Sequence, residues 1–177
     1  AVYVSGQLGT SAAGLELFRN QRHSELLAEE LSAPFIERHL DPDPEVALGE
    51  ALAASGLVGS MQDVSDGIAT DLAHICLRSG LGAVVEAELL PHHPSLPELA
   101  EALDSDPLEL MTCGGDDYLL LFTLSPADQN KLEQYLASRG IDRTLYRIGR
   151  MTEGSGVMLQ SASGREEISF KGFQHRG

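Results

Sequence analysis

The chain has 177 residues, 42% of them hydrophobic, which is enough for the core of one domain of ordinary size and too much for a disordered segment. Twenty-seven acidic against twelve basic side chains give a formal net charge of −15, which argues against a nucleic-acid or anionic-membrane partner, since both need clustered Lys and Arg. No apolar run approaches the roughly 18 residues that cross a bilayer and no charged-then-apolar leader opens the chain, so a cytoplasmic protein is expected.

Ala1-Val2-Tyr3-Val4 alternates like a strand and runs at once into the turn Ser5-Gly6-Gln7-Leu8-Gly9-Thr10, followed by a helix start at Ser11 to Leu15. Such a strand-turn-helix either offers backbone N–H groups to an anion or is plain connection. With neither an initiator Met nor a polar lead-in, the chain reads as cut open in mid-sheet. Residues 24 to 40 carry a mixed apolar and charged helical pattern that ends at the rigid connector Asp41-Pro42-Asp43-Pro44, and Glu45 to Ala54 reads as a short amphipathic helix. Leu57, Val58 and Met61 predict a short buried strand.

Gln62-Asp63-Val64-Ser65-Asp66-Gly67 then stands where this strand turns into a helix, whose face is Ile68, Leu72, Ile75 and Cys76 and whose end is Gly80. Two readings stay open. In one, Ser65 is the N-cap and Asp66 lies in the first turn, where the helix dipole favours an anion by roughly 0.3–1 kcal/mol. In the other, Asp63 and Asp66 converge their oxygens on one point and Gly67 admits a close approach to the backbone. Hard oxygen ligands of that kind suit magnesium, held by one or two carboxylates together with substrate phosphates. Asp71, five residues beyond Asp66, is read as solvated or structural.

Ala83 to Ala87 predicts a strand, Pro91 to Pro97 a loop whose His92 and His93 are surface residues, and Leu96 to Leu103 and Pro107 to Met111 two short helices. Cys113-Gly114-Gly115-Asp116-Asp117-Tyr118 precedes Leu119 to Leu124, a run short enough for a buried strand. Two aspartates at a strand mouth either make a solvated turn or meet a cation or donor. Pro126 to Ser138 is a surface helix with Leu132, Tyr135 and Leu136 inward. Thr144 to Met151 and Val157 to Gln160 are expected as strands, and Glu167 to Phe170 as the last one, reached through a turn at Ser161 to Gly164. The tail, with two aromatics and a glycine, is expected to pack down. Cys76 and Cys113 have no metal-type spacing; both are taken as reduced, and Cys76 as a core residue. With only Lys131 and Lys171 as lysines and no Walker-type loop, any phosphate chemistry would need metal ions between carboxylates and phosphate oxygens. The whole reads as a single α+β (α/β layered) domain, a mixed sheet with packed helices, residues 1–45 being a strand and helical lead-in to a main layer over 46–177.

The ordered set Val4-Ser5-Gly6-Gln7-Leu8-Gly9, Arg38-His39-Leu40, Asp63-Val64-Ser65-Asp66-Gly67, Gly114-Gly115-Asp116-Asp117-Tyr118 and Lys171-Gly172-Phe173-Gln174-His175 resembles the thiamine-monophosphate kinase family, within the aminoimidazole ribonucleotide synthetase superfamily. The resemblance implies ATP- and magnesium-dependent phosphorylation of thiamine monophosphate to thiamine diphosphate by direct transfer. It implies that this chain is the C-terminal domain, without the N-terminal metal and ATP domain of the family, and that the full-length protein is a homodimer. Carried over by position, Asp63 and Asp66 are implied magnesium ligands, Ser65 an ATP contact, and Asp116 and Phe173 contacts to thiamine monophosphate; no residue is implied as a catalytic base. The chain departs from the pattern it resembles, which usually has Glu at Asp116, an acidic or polar residue at Leu119, and a Tyr or Trp-like aromatic in place of Phe173. The alternatives are another ATP-dependent superfamily enzyme, of hydrogenase-maturation or selenophosphate-forming type, or a non-catalytic nucleotide- or metal-binding module.

Overall fold

Three apolar residues, Val2, Tyr3 and Val4, form the strand about which the sheet is built. In a computed structural model, which describes residues 1–20 and 27–172, they make β1 (Val2–Val4). The other strands are β2 (Val58–Asp63), β3 (Gly82–Glu86), β4 (Leu120–Leu124), β5 (Tyr146–Thr152), β6 (Gly156–Ser161) and β7 (Gly164–Glu167). They form one sheet in the order β2-β4-β1-β5-β3-β6-β7. Every neighbouring pair is antiparallel except β3 with β6, so the sheet is mixed, as the alternation of strands and helices implies.

Successive side chains of a strand point to opposite faces, and both faces of β1 are covered. Val2 and Val4 enter the larger core, made with α1 (Thr10–Arg19), α2 (Glu29–Leu40), α4 (Ile68–Ser79), α5 (Leu96–Ala102) and α6 (Pro107–Cys113). Tyr3 enters the smaller core on the other face, under α3 (Val46–Ala54) and α7 (Gln129–Ser138). There its ring stacks on Phe122, with centroids 5.5 Å apart, and its hydroxyl donates to Gln129 Oε1 at 2.9 Å. A buried tyrosine normally finds such a partner for its polar tip. Residues 1–45 supply an interior strand of the sheet, flanked by β4 and β5, and two helices of the larger core.

The structure corrects several expectations. β2 lies at the edge of the sheet, bonded to β4 alone, and is half-exposed rather than buried. The last strand is Gly164–Glu167, closing a tight hairpin on β6; Phe170 has φ +58°, which no strand residue adopts. The described part of the second helical pattern begins at Glu29, and its earlier residues, 24–26, lie outside the described residues. His93 is half-buried, with its ring edge-on to Phe35 at 5.0 Å and its Nδ1 accepting Ser95 N–H at 3.2 Å. Cys76 is a core residue, and burial pushes its thiol up to about 11, which leaves it inert at neutral pH.

Candidate functional site

β2 ends at Asp63, which is in register with Leu120 at the start of its antiparallel neighbour β4, so the segment leaving β2 and the segment entering β4 lie side by side. Backbone hydrogen bonds join them beyond the sheet. Val64 N–H donates to Leu119 O at 2.8 Å, Tyr118 N–H to Val64 O at 2.9 Å, and Asp116 N–H to Ser65 O at 2.9 Å. Gly67, at φ +92°, closes the junction: a Cβ there would sit 2.7 Å from Gly114 O. The close approach that Gly67 permits is thus that of a neighbouring carbonyl.

Helix α4 starts at Ile68, with Gly67 at its N-cap and no side-chain cap, so Ser65 is not the cap and Asp66 precedes the first turn. Their backbone donors turn instead to Asp71. This residue is 2% exposed, not solvated. Its Oδ2 accepts both Ser65 N–H and Asp66 N–H at 3.0 Å, and its Oδ1 accepts from Gln62 Nε2 at 2.9 Å. Burial pushes its pKa up to about 6, the two N–H donors pulling it down and the charges of Asp66 and Asp63 adding to the rise. Asp63 is exposed and Asp66 half-buried, so both remain open to a ligand while Asp71 does not.

The Gly114–Asp117 segment is not a solvated turn either. Asp116 and Tyr118 both take left-handed backbone, with φ +62° and +50°, unusual for residues with a Cβ. Between them Asp117 points inward and is 1% exposed. Its carboxylate accepts Gly9 N–H at 2.8 Å and Ser11 N–H at 3.2 Å, so the donors at the start of α1 are taken by the protein's own anion. Burial pushes Asp117 up to about 6, against the N–H donors and the Arg38 charge. Arg38 Nη2 donates to Asp117 O at 2.8 Å, tying α2 to the turn, and His39 Nδ1 lies 2.9 Å from Ser11 Oγ, tying it to α1. Asp116 is exposed, and Tyr118 OH donates to its Oδ1 at 3.2 Å. Leu119 is buried against Gly6, whose added Cβ would meet Leu119 Cδ2 at 2.7 Å.

The tail packs down as far as it is described. Phe170 N–H donates to Ala69 O at 2.9 Å and Gly172 N–H to Thr70 Oγ1 at 3.1 Å, which puts Gly172 against the Asp66 carbonyl. Phe173 lies outside the described residues. Beside Asp116 a cleft of about 410 Å³ opens, lined among others by Arg19, His39, Asp104, Asp106 and Glu109. Its volume suits a small molecule. Among the described residues no three His, Cys, Asp or Glu side chains gather to hold a metal ion. Asp63 and Asp66 are hard oxygen donors of the type magnesium takes, and both stand at the surface of the turn.

Of the two readings open for each buried carboxylate, Asp71 takes the structural one and Asp117 the one in which donors meet it; what the sequence does not name is which backbone N–H groups they hold.

The sequence matches the family described as AIR synthase related protein, C-terminal domain, over residues 1–161. It is 34% identical to thiamine-monophosphate kinase of Escherichia coli (strain K12) over 176 residues, 98% of this chain and 51% of that protein. The fold superposes with a TM-score of 0.78 on AaThiL complexed with AMPPCP and TMP, at 31% identity, covering 99% of this chain and 51% of that one. It also superposes on the E. coli hydrogenase maturation protein HypE with a TM-score of 0.66, at 20% identity and covering 99% and 50% of the two chains, a likeness of fold alone. This chain spans about half the length of the curated relatives it matches.

Proposed function

Because the chain belongs to the AIR synthase related protein family through its C-terminal domain, we propose that it is the C-terminal part of a kinase that uses ATP to phosphorylate thiamine monophosphate to thiamine diphosphate. One observation carries this reading: the Asp63–Gly67 and Gly114–Asp117 segments are bonded into a single edge beside a cleft. Ligands of both segments would therefore be neighbours.

In this reading Asp63 and Asp66 hold Mg²⁺, Ser65 contacts ATP, and Asp116 and Phe173 contact thiamine monophosphate. When bound, the metal neutralises charge spreading over the transferred phosphoryl group. The chain's own residues position the reactants. Asp66 is fixed through its N–H by Asp71, and Asp116 is held out from the fold by left-handed backbone and by the Tyr118 hydroxyl. Asp104, Asp106, Glu109 and Asp116 give the cleft an acidic lining that suits the cationic thiazolium ring. The acceptor is a phosphate oxygen, already ionised, so no general base is required. The N-terminal half that the relatives carry would supply the remaining metal ligands, and the full-length protein would act as a cytoplasmic homodimer, with no part for nucleic acid or membrane. No helix among the described residues is long and apolar enough to cross a membrane.

The test uses the full-length gene product and an assay coupled to ADP release with thiamine monophosphate as acceptor. Asp63→Asn and Asp66→Asn should each lower turnover by about 100-fold or more, since even residues outside the first coordination sphere cost 10–100-fold. Both should keep the wild-type melting temperature without ligands and lose most of the stabilisation given by Mg²⁺ with a non-hydrolysable ATP analogue. Full turnover and an unchanged ligand-induced shift in both variants would sink the assignment.

A further inference from the structure

We propose that Asp71 is a positioning residue for magnesium: buried behind the Asp63–Gly67 segment, it fixes the backbone that presents Asp63 and Asp66 and adds negative charge on the side of the segment away from the ligand. The inference rests on the function proposed above. Asp71 is the fourth residue of α4, yet its side chain folds back over the helix start and bonds to residues 62, 65 and 66. One oxygen holds two successive N–H groups, those of Ser65 and Asp66, and the other is held by the Gln62 amide. Every polar contact of the carboxylate is therefore to the segment that carries the two implied ligands.

Charge makes the arrangement more than a cap. Among the described residues, no ion pair involves Asp63, Asp66 or Asp71. Three carboxylates share one turn without a basic partner, which costs free energy until a cation arrives on the open side. Residues that orient metal ligands from behind typically contribute 10–100-fold in metal affinity.

The experiment follows the melting temperature of the full-length gene product as Mg²⁺ is titrated at a fixed concentration of AMPPCP, with no turnover involved. Asp71→Asn keeps the shape and removes the charge, and should raise the Mg²⁺ midpoint by about 10-fold or more. In the steady state it should raise the Mg²⁺ requirement and leave the KM for thiamine monophosphate as it is. Gln62→Met, at a half-exposed edge-strand position that tolerates change, removes only the amide that orients the carboxylate. It should raise the midpoint by less, and it keeps the question answerable if Asp71→Asn folds poorly. A lowered melting temperature at every Mg²⁺ concentration with unchanged midpoints in both variants would reduce Asp71 to a structural cap and overturn the proposal. Wild-type turnover of thiamine monophosphate is measured alongside; its absence would sink the kinase reading and leave the magnesium comparison intact.

Discussion

Asp117 shows how a single buried carboxylate ties the candidate site to the fold. Its folded pKa of about 6 stands above the ordinary carboxylate value of 3.8, because burial outweighs the N–H donors and Arg38. The folded state thus holds more protons than the unfolded one between these two values. The contribution of Asp117 to stability therefore rises as pH falls through about 6 towards 4 and is flat above that window. Asp117→Asn removes the titration and turns an amide N–H towards one of two backbone donors. The stability gap between wild type and this variant should be smallest near pH 7 and widen towards pH 5, as read from urea midpoints. A gap independent of pH would mean that Asp117 is not the titrating group. At this scale the exposed candidates, Asp63, Asp66 and Asp116, are readable from residue type and spacing. Asp71 is not, because placing the helix start at Ser65 turns it to the solvent side, whereas a start at Ile68 leaves three residues for its side chain to fold around. The inward turn of Asp117 depends on left-handed backbone at Asp116 and Tyr118, which no local propensity signals.

At the scale of elements, the junction between β2 and α4 hangs on Gly67. Its φ of +92° and ψ of 154° fall in a region that is essentially glycine's alone, and a Cβ would be forced against the Gly114 carbonyl. Gly80 ends the same helix at φ +65° with open space where its Cβ would lie. Gly80→Ala should cost about 1–2 kcal/mol, the penalty for left-handed backbone alone. Gly67→Ala should cost clearly more in a denaturant titration, because relief of the clash would pull Asp116 N–H off Ser65 O; equal costs would show that the two segments part easily. Elements with a strong apolar period, such as α4 and α7, are legible in the sequence as helices and in their ends at Ser79 and Ser138, while both start two or three residues later than the sequence suggests. β7 is not: its four residues are all exposed, so no apolar alternation marks it, and pairing with β6 alone makes it a strand.

For the molecule as a whole, the described residues supply two open carboxylates and no third ligand to go with them. Magnesium takes near-octahedral coordination, so this chain by itself should fold and yet release ADP at background rate when given ATP, Mg²⁺ and thiamine monophosphate. Turnover by the purified 177-residue chain would place the metal elsewhere. The layered α+β class is legible from the alternation of apolar runs, but the strand order is not, since nothing local in Val2–Val4 announces partners so distant in sequence. That order bears on how the protein is made. β1 leaves the ribosome first among these strands, yet the partners that flank it, β4 and β5, follow only after more than a hundred residues; Leu124 N–H donates to Ala1 O, 123 residues away. Until then the nascent chain carries an unpaired strand with apolar side chains on both faces, so the sheet closes late, and this is the interval in which a chaperone would have most to protect.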